Sequence, residues 1–367
     1  MWLKNITLLN FKNYSSAELN FTKTVNVFVG NNGAGKTNLL DAIHYLCLCK
    51  GYFSPIDSHQ IKTEEDLFLI QGDFDRKENN EKITCGLKRN QKKQFKRNKK
   101  EYDKLADHIG LFPVVMISPY DVNIIMDGSE ERRRFIDNVI SQTDSTYLDE
   151  LILYNKHLLN RNALLKQVAQ TRKLDVSLLE IFDSQLINSG NKIFEKRKLF
   201  LEDFIPLFNN YYSFISEDAE RVSLNYHSQL IDQSFDVLLT NSIDRDRALE
   251  RTTTGIHKDD LLFLLSEMPL KRHGSQGQQK SFLIALKLAQ YAYLQRFKGF
   301  KPILLLDDIF DKLDDLRVRK LMEMVSHDDF GQIFITDTGR ERVLSIFDSI
   351  KTEVTVFEVE NGEVKNA

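Results

Sequence analysis

The chain has 367 residues, of which 42% are hydrophobic and 28% are charged, a composition typical of globular proteins that excludes global disorder. With 50 lysines and arginines against 53 aspartates and glutamates, the formal charge is −3, which excludes a generally basic coat, so any DNA contact requires a local patch. Three cysteines without metal-ligand spacing, an N-terminus unlike a signal peptide and no apolar run approaching ~18 residues predict a cytoplasmic protein with no membrane span.

The first third of the chain is predicted to be an α/β segment. A helical pattern of Leu39, Ile43 and Leu46 follows an apolar strand, and several other short apolar runs are typical of strands. The predicted strands are 3–9, 20–21, 24–29, 67–70, 83–87 and 114–117.

The middle of the chain is predicted to be a helical lobe. Between Ser129 and Thr254 there is one glycine, Gly190, and one proline, Pro206, and helix breakers are that scarce only where long helices form. A leucine-rich stripe with spacings of three and four indicates either a bundle packed on itself or an extended coiled-coil arm. Its members are Leu148, Leu151, Ile152, Asn155, Leu158, Leu159, Asn162 and Leu165.

The last third is again predicted to be α/β. The runs 303–306 and 333–336 are short and largely apolar, as in strands buried on both faces of a parallel sheet. A further strand is predicted at 354–359. The expected fold class is therefore α/β, with an α/β core interrupted by a large helical insertion lobe. The expected domains are the N-terminal half of the core, the helical lobe and the C-terminal half of the core, at 1–117, 118–254 and 255–367.

A phosphate-binding loop, called the P-loop below, occupies Gly30–Thr37. It matches G-x-x-x-x-G-K-[ST] in full, with a predicted strand before it and a predicted helix after it. In this pattern backbone N–H groups surround the phosphates, Lys36 is the point charge and Thr37 offers its hydroxyl to Mg²⁺. The predicted ATP-binding residues here are Gly30, Asn31, Asn32, Gly33, Ala34, Gly35, Lys36, Thr37 and Asn38.

Two aspartates, Asp307 and Asp308, follow the apolar run 303–306. A phosphate loop needs an acidic partner for its metal on a neighbouring strand. We expect Asp307 to hold Mg²⁺ and Asp308 to orient or deprotonate the attacking water. Lys36 and Asp308 are thus the predicted catalytic residues, and Thr37 and Asp307 are the predicted metal ligands.

The segment His273–Lys280 resembles the signature motif of ATP-binding-cassette proteins. Ser275, Gly277 and Gln278 match its key positions, whereas Gln276 replaces a glycine. In that family these residues bind the γ-phosphate of ATP held by a second subunit, so the resemblance implies an ATP-dependent homodimer. The segment Asp311–Asp314 fits the D-loop of the same family.

Two other parts of a cassette ATPase are not found in their usual form. No histidine follows 333–335, so γ-phosphate sensing is left to Asp337, Thr338 or another group. Gln71 is a candidate for the glutamine of the Q-loop or an ordinary sheet residue, and the sequence does not decide between them.

Several strings, in the right order along nearly the full chain, resemble the RecF family of bacterial recombination and repair proteins, which are related to the heads of SMC chromosome-maintenance proteins. Besides the motifs above, they are Leu9–Tyr14, Asn32–Leu40, Ser118–Asp121, Glu131–Asp137, Arg161–Lys166 and Thr254–Leu261. The resemblance implies an ABC/SMC-head-like ATPase that binds DNA at gaps and single-strand/double-strand junctions. It also implies weak, DNA-stimulated ATP hydrolysis used as a switch, loading of recombinase with the mediator RecR, and support of replication forks and the SOS response.

Local DNA contact is predicted from residues 88–100, called the basic segment below. It contains eight lysines or arginines and no acid, enough to neutralise several phosphates; the alternative is a solvated hairpin tip. The cluster Arg132–Arg134 either faces DNA or nucleotide or is a charged helix start. His257 beside Asp259 belongs either to a metal site or, as we expect, to a hydrogen-bonded structural cluster.

Three alternatives compete with this function. A transporter cassette shares the P-loop and signature but lacks such a helical insertion. A nuclease with a similar head needs a further domain, for which too little chain follows residue 335. An SMC-like clamp that binds DNA with little or no ATP turnover remains open, because Asp308 stands where a glutamate is usual and a shorter carboxylate positions water less well.

Overall fold

The computed structural model of the protein describes residues 1–173, 175–217, 220–309, 330–350 and 353–366. The strands are β1 (Trp2–Phe11), β2 (Tyr14–Asn20), β3 (Val25–Val29), β4 (Leu67–Arg76), β5 (Asn79–Lys88), β6 (Gln94–Arg97), β7 (Lys100–Glu101), β8 (Val114–Ile117), β9 (Val222–His227), β10 (Asp260–Leu265), β11 (Met268–Pro269), β12 (Ile303–Leu306), β13 (Ile333–Asp337), β14 (Val354–Glu360) and β15 (Glu363–Asn366). The helices are α1 (Lys36–Leu48), α2 (Val122–Met126), α3 (Ser129–Thr143), α4 (Ser145–Thr171), α5 (Val176–Ser216), α6 (Phe235–Leu249), α7 (Leu270–His273), α8 (Gln276–Lys298) and α9 (Arg340–Ile350).

The chain forms two compact units, one of Met1–Asp121 with Lys280–Ala367 and one of Val122–Gln279. The predicted boundaries are 117/118 and 254/255, whereas residues 118–121 lie in the first unit and residues 255–279 lie in the second. The latter residues lie in the second unit because β10 pairs with β9 and β11 in one antiparallel sheet, and such a pairing is not visible in the linear pattern.

The first unit contains a largely parallel sheet in the order β15-β14-β3-β13-β12-β8. Every residue of β3, β8, β12 and β13 is buried, as their continuous apolar runs predict. Because β14, β3, β13, β12 and β8 run parallel, their carboxyl ends meet at one edge of the sheet. This arrangement confirms the predicted buried parallel sheet.

An antiparallel sheet in the order β2-β1-β4-β5-β6-β7 completes the core of this unit. Helix α1 contacts β8 and β13 of the parallel sheet and β4 and β5 of the antiparallel one. Leu39, Ile43 and Leu46 of α1 are buried and join a core with aromatic residues such as Phe28 and Phe68. The helix that follows the P-loop is therefore held on both sides.

The second unit contains the predicted long helices, with α4, α5 and α6 packed on one another, as in the bundle alternative. The predicted stripe on α4 is partly wrong, because Ile152 and Leu159 are exposed. The buried face of α4 instead consists of Tyr147, Tyr154, Arg161, Leu164, Leu165 and Val168. Arg161 is buried because two carboxylates, those of Asp183 and Asp246, pair with it at 2.5 and 2.6 Å.

Within the described ranges, no helix combines the length and the hydropathy that crossing a membrane requires.

Candidate nucleotide-binding site

The P-loop connects the end of β3 to the start of α1, and two of its glycines are required by close approaches. Gly30 has φ +156°, and a Cβ there would lie 2.2 Å from the carbonyl oxygen of Val359. Gly35 has φ +119°, and a Cβ there would lie 2.4 Å from Nδ2 of Asn13. Because Gly35 is the N-cap of α1, the first N–H groups of this helix face the loop, where anions bind favourably.

Lys36 points back into the loop rather than into solvent. Its side chain is buried, and Nζ donates to the carbonyl oxygens of Gly30 at 2.8 Å and Asn31 at 3.0 Å. These bonds keep an ammonium group inside the curve of the loop, where the predicted role on a phosphate requires a charge.

A brace from the β1–β2 turn, made by Asn13 and Tyr14, holds the P-loop from behind. Asn13 Nδ2 donates to the carbonyl oxygen of Ala34 at 3.0 Å, and Tyr14 Oη donates to that of Gly35 at 3.0 Å. Asn38 Nδ2 donates to Asn13 Oδ1 at 2.7 Å, so the side-chain amide of this predicted ATP-binding residue is bound to the brace. The sequence analysis noted this string only as part of a resemblance and missed its contacts.

Asp307 lies at the carboxyl edge of the parallel sheet, surrounded by hydroxyl donors. Thr37 Oγ1 donates to its Oδ1 at 2.8 Å, and Thr336 Oγ1 donates to the same oxygen at 2.9 Å. Ser118, directly after β8, donates to Oδ2 at 3.4 Å. Burial raises the pKa of Asp307, while the bonds from Thr37, Thr336 and Ser118 favour the carboxylate. The structure thus brings the two predicted metal ligands together and adds Ser118 and Thr336, which the sequence analysis missed.

Asp308 follows with a left-handed backbone, at φ +44°. Its N–H donates to Thr336 Oγ1 at 2.9 Å, and its side chain is half-buried. The predicted catalytic carboxylate therefore lies at the same edge of the sheet as the P-loop.

The end of β13 does not offer a free acidic sensor. The Asp337 carboxylate accepts from the Gly339 N–H at 2.6 Å and from Arg342 at 2.5 Å, whereas its carbonyl oxygen accepts from the Gly30 N–H at 3.3 Å. Gln71 lies within β4, opposite Thr84 of β5, as an ordinary sheet residue does.

The signature residues Ser275, Gly277 and Gln278 lie in the second unit, at the start of α8. Ser275 is exposed; its Oγ accepts from the Gln278 N–H at 3.2 Å, and its own N–H donates to Gln278 Oε1 at 2.6 Å. This reciprocal pair is a capping box. Gln278 Nε2 also donates to Glu220 at 2.9 Å. The predicted D-loop, Asp311–Asp314, lies outside the described residues.

The basic segment is divided between structural and exposed cations. Lys93 is paired with Asp57 at 2.9 Å, and Arg97 makes two bonds to Glu81 at 2.5 and 2.6 Å. The lysines of the segment that are exposed, and that form no ion pair within the part of the chain the structure describes, are Lys88, Lys92, Lys99 and Lys100.

The other charged clusters have structural partners. Arg132 makes two bonds to Asp260 at 2.7 and 3.1 Å, and Arg134 pairs with Glu130 and Glu131, as in a charged helix start. His257 Nδ1 shares a hydrogen bond of 2.7 Å with Tyr154 Oη. The described residues contain no group of three or more histidines, cysteines, aspartates or glutamates that could hold a metal ion.

Comparison with known proteins places the chain in a family. The family model RecF/RecN/SMC N terminal domain matches residues 2–365. The DNA replication and repair protein RecF of Phocaeicola vulgatus is 50% identical over 366 residues, which cover 99% of this chain and 98% of the relative.

Solved structures agree in fold. A structure of the recombination mediator protein RecF with ATP, in the RecFOR pathway, has a TM-score of 0.91 at 31% identity and covers 100% of this chain and 97% of that one. An SMC head from Pyrococcus furiosus, solved with the C-terminal domain of ScpA, has a TM-score of 0.57 at 16% identity over 100% of this chain and 96% of that one. It shows the shared ABC-type ATPase fold alone. The chain belongs to the RecF family of DNA replication and repair proteins.

Proposed function

We propose that this protein binds ATP with Mg²⁺, dimerises through the bound ATP and acts as a slow, DNA-stimulated switch on gapped DNA. Its cellular role in this proposal is recombinational repair and replication-fork maintenance in the cytoplasm, with RecR as a partner in loading recombinase and with support of the SOS response.

One observation carries the nucleotide part of the proposal: a buried lysine inside the P-loop and a hydroxyl–carboxylate pair beside it. Thr37 Oγ1 and Asp307 Oδ1 are 2.8 Å apart, and Ser118 adds a third oxygen. Oxygen donors with a single buried carboxylate fit Mg²⁺, which completes its shell with water and phosphate oxygens. When bound, Mg²⁺ supplies neutralisation of charge on the phosphate oxygens.

The chain's own residues have separate tasks in this proposal. The P-loop N–H groups and Lys36 bind the phosphates, Asp307 and Thr37 hold the metal, and Asp308 orients water for attack. The relative solved with ATP supports the choice of nucleotide. A clamp with little or no turnover is the second candidate, since an aspartate carboxylate reaches less far than a glutamate.

Dimerisation is inferred from Ser275. It is exposed at the N-terminus of a 23-residue helix, and its subunit's own P-loop already encloses the phosphates. A second copy's ATP is then the partner that its hydroxyl serves. By mass action, ATP drives dimerisation and hydrolysis releases it.

The test uses sedimentation velocity with and without ATP and gapped DNA. We expect Ser275→Arg to bind ATP normally as a monomer and to lose the ATP-induced dimer. Ser234→Arg is the matched control, because Ser234 is an exposed N-cap of α6 in the same unit. Normal dimerisation of Ser275→Arg, or its loss of monomeric ATP binding, contradicts the shared site.

A mixture of Ser275→Arg and Lys36→Ala proteins gives the sharper result. One composite site then combines two intact halves, while the other combines two damaged ones. Partial recovery of hydrolysis in the mixture supports a site shared by two subunits, and no recovery contradicts it. Wild-type protein that dimerises with ATP but shows no single-turnover hydrolysis favours the clamp.

A further inference from the structure

Thr336 connects the two aspartates of the nucleotide site through a single hydroxyl. Its side chain is fully buried in β13. Oγ1 donates to Asp307 Oδ1 at 2.9 Å and accepts from the backbone N–H of Asp308 at 2.9 Å. A hydroxyl has one proton to donate and lone pairs to accept, so it makes both bonds at once.

The acceptor half of this arrangement fixes an unusual backbone. Asp308 has φ +44°, a left-handed conformation that is uncommon for residues with a Cβ and that a hydrogen bond can restrain. The bond from its N–H to Thr336 is such a restraint, and it orients the peptide from which the Asp308 side chain leaves. The direction of that carboxylate therefore depends on the hydroxyl of a neighbouring strand.

The donor half restrains the preceding carboxylate. Oδ1 of Asp307 receives hydroxyl protons from both Thr37 and Thr336. Thr336 approaches Asp307 from β13, whereas Thr37 approaches it from α1. The bond from Thr336 therefore orients Asp307 independently of the P-loop. One side chain thus restrains two consecutive acidic residues that have different predicted tasks.

We propose that Thr336 is a positioning residue for hydrolysis, acting through Asp308 rather than on the nucleotide. This inference rests on the proposed ATPase function. The hydroxyl matters separately from the packing, since valine has nearly the same shape and suits a buried strand equally well. A residue that only fills the core tolerates valine, whereas one that orients Asp308 does not.

The experiment compares Thr336→Val and Thr336→Ser in the full chain. Thr355→Val is the matched control, because Thr355 lies in β14 of the same sheet and donates to Thr22 at 3.3 Å. Three quantities are measured: the Kd of a fluorescent ATP analogue with Mg²⁺, the single-turnover hydrolysis rate, and hydrogen exchange of the Asp308 amide.

For Thr336→Val we expect a single-turnover rate lower by about tenfold or more. The Kd stays within about threefold of wild type because Thr37 and Ser118 still donate to Asp307. Exchange of the Asp308 amide rises by about tenfold or more because its acceptor is lost. Thr336→Ser restores the rate and the protection, since serine keeps the hydroxyl. The control changes none of the three quantities.

Two results overturn the inference. In the first, Thr336→Val hydrolyses ATP at the same rate as the control. In the second, Thr336→Val loses rate and ATP affinity by the same factor and Thr336→Ser restores neither, which indicates a packing role. If wild-type protein binds ATP without hydrolysing it, the hydrolytic part of the proposed function fails separately. Unchanged amide exchange in Thr336→Val then overturns the positioning role, and raised exchange supports it.

Discussion

Asn13 and Tyr14 bind the P-loop on the side away from the phosphates, so their removal tests whether ATP affinity depends on a preformed loop. We consider the double variant Asn13→Ala with Tyr14→Phe. It deletes both side-chain donors to the peptide groups of Ala34 and Gly35, together with the acceptor of Asn38. Burial raises the pKa of Tyr14, so in the wild type the phenol stays protonated and remains a donor at all ordinary pH values.

The cost in folding is limited because neither carbonyl loses its last partner. The Ala34 oxygen still accepts from the Gly362 N–H at 3.1 Å, and the Gly35 oxygen still accepts from the Asn38 N–H at 2.9 Å. Each lost hydrogen bond then contributes about 0.5–1.5 kcal/mol without an orphaned acceptor. Three such bonds are lost, so we expect the free energy of unfolding to fall by about 1.5–4.5 kcal/mol in total.

The cost in binding comes from ordering the loop again. Fixing one backbone residue costs about 1–2 kcal/mol, and the brace restrains the peptide groups on both sides of one residue, Gly35. We therefore expect ATP to bind about 5- to 30-fold more weakly to the double variant.

The assay is fluorescence anisotropy with an ATP analogue and Mg²⁺, together with urea unfolding of the same preparations. Tyr154→Phe is the matched control, because Tyr154 is fully buried in the second unit and its hydroxyl lies 2.7 Å from His257 Nδ1. If the double variant loses stability but keeps the Kd of the control, the brace contributes only to packing and the reasoning is refuted.

The remaining predictions concern charge. Lys36→Ala removes the ammonium group inside the P-loop and weakens ATP binding by up to several kcal/mol in a folded protein. Lys36→Arg fails to restore the affinity because a planar guanidinium does not fit the loop. Calorimetric titration with ATP checks both variants, and an unchanged affinity contradicts the site. Replacing Lys92, Lys99 and Lys100 with glutamine makes the plot of log K for DNA binding against log salt less steep, by up to about three in the magnitude of its slope, while ATP binding persists. An unchanged slope identifies a solvated hairpin. Burial lowers the pKa of three histidines to about 4, so their neutral forms stabilise the fold fully above pH 6.5. That stability is lost as pH falls towards 4, at about 2 kcal/mol per histidine by pH 5. Urea unfolding at pH 7.5 and 5 checks this, and an unchanged free energy of unfolding contradicts it. The three are His44, His108 and His257.

The nucleotide site was predictable where local pattern and local structure coincide. The P-loop motif needs only its own strand, turn and helix, and β3 and α1 flank it as expected. Asp307 was predictable for a similar reason, since a carboxylate after a buried parallel strand lies at the edge where the P-loop lies. Both motifs carry their structural context within a few residues.

The brace and Thr336 were not predictable from local pattern. Asn13 reaches the P-loop only because the β1–β2 turn lies beside it, and Thr336 reaches Asp307 only because β13 pairs with β12. Strand order decides such contacts, and a single sequence does not encode it in any short window. In the sequence Thr336 is the last residue of the run 333–336, and no local pattern predicts its bond to Asp307.

The leucine-rich stripe predicted on α4 is partly wrong for a different reason, which is the energetics of burying a charged side chain. A hydrophobic-periodicity argument assigns leucines to the core and arginine to solvent. Arg161 is nevertheless fully buried because Asp183 and Asp246 pair with it. Two carboxylates from other helices change which face of α4 is inside, and only tertiary structure supplies them.

The strand order also explains why the site draws on such distant parts of the chain. β3, which carries the P-loop, lies between β14 and β13, and β12 joins the far side of β13. The start of the chain is therefore flanked by strands from its end, and the carboxyl edge that holds Lys36, Asp307 and Thr336 exists only when both are in place. Bringing the two ends together has an entropic cost, which contacts between them offset. Three hydrogen bonds are such contacts: Thr37 Oγ1 donates to Asp307 Oδ1 at 2.8 Å, the Gly30 N–H donates to the carbonyl oxygen of Asp337 at 3.3 Å, and the Gly362 N–H donates to the carbonyl oxygen of Ala34 at 3.1 Å. The groups that complete the nucleotide site are thus the same groups that fasten its separate chain segments, so binding geometry and assembly of the core depend on one set of hydrogen bonds.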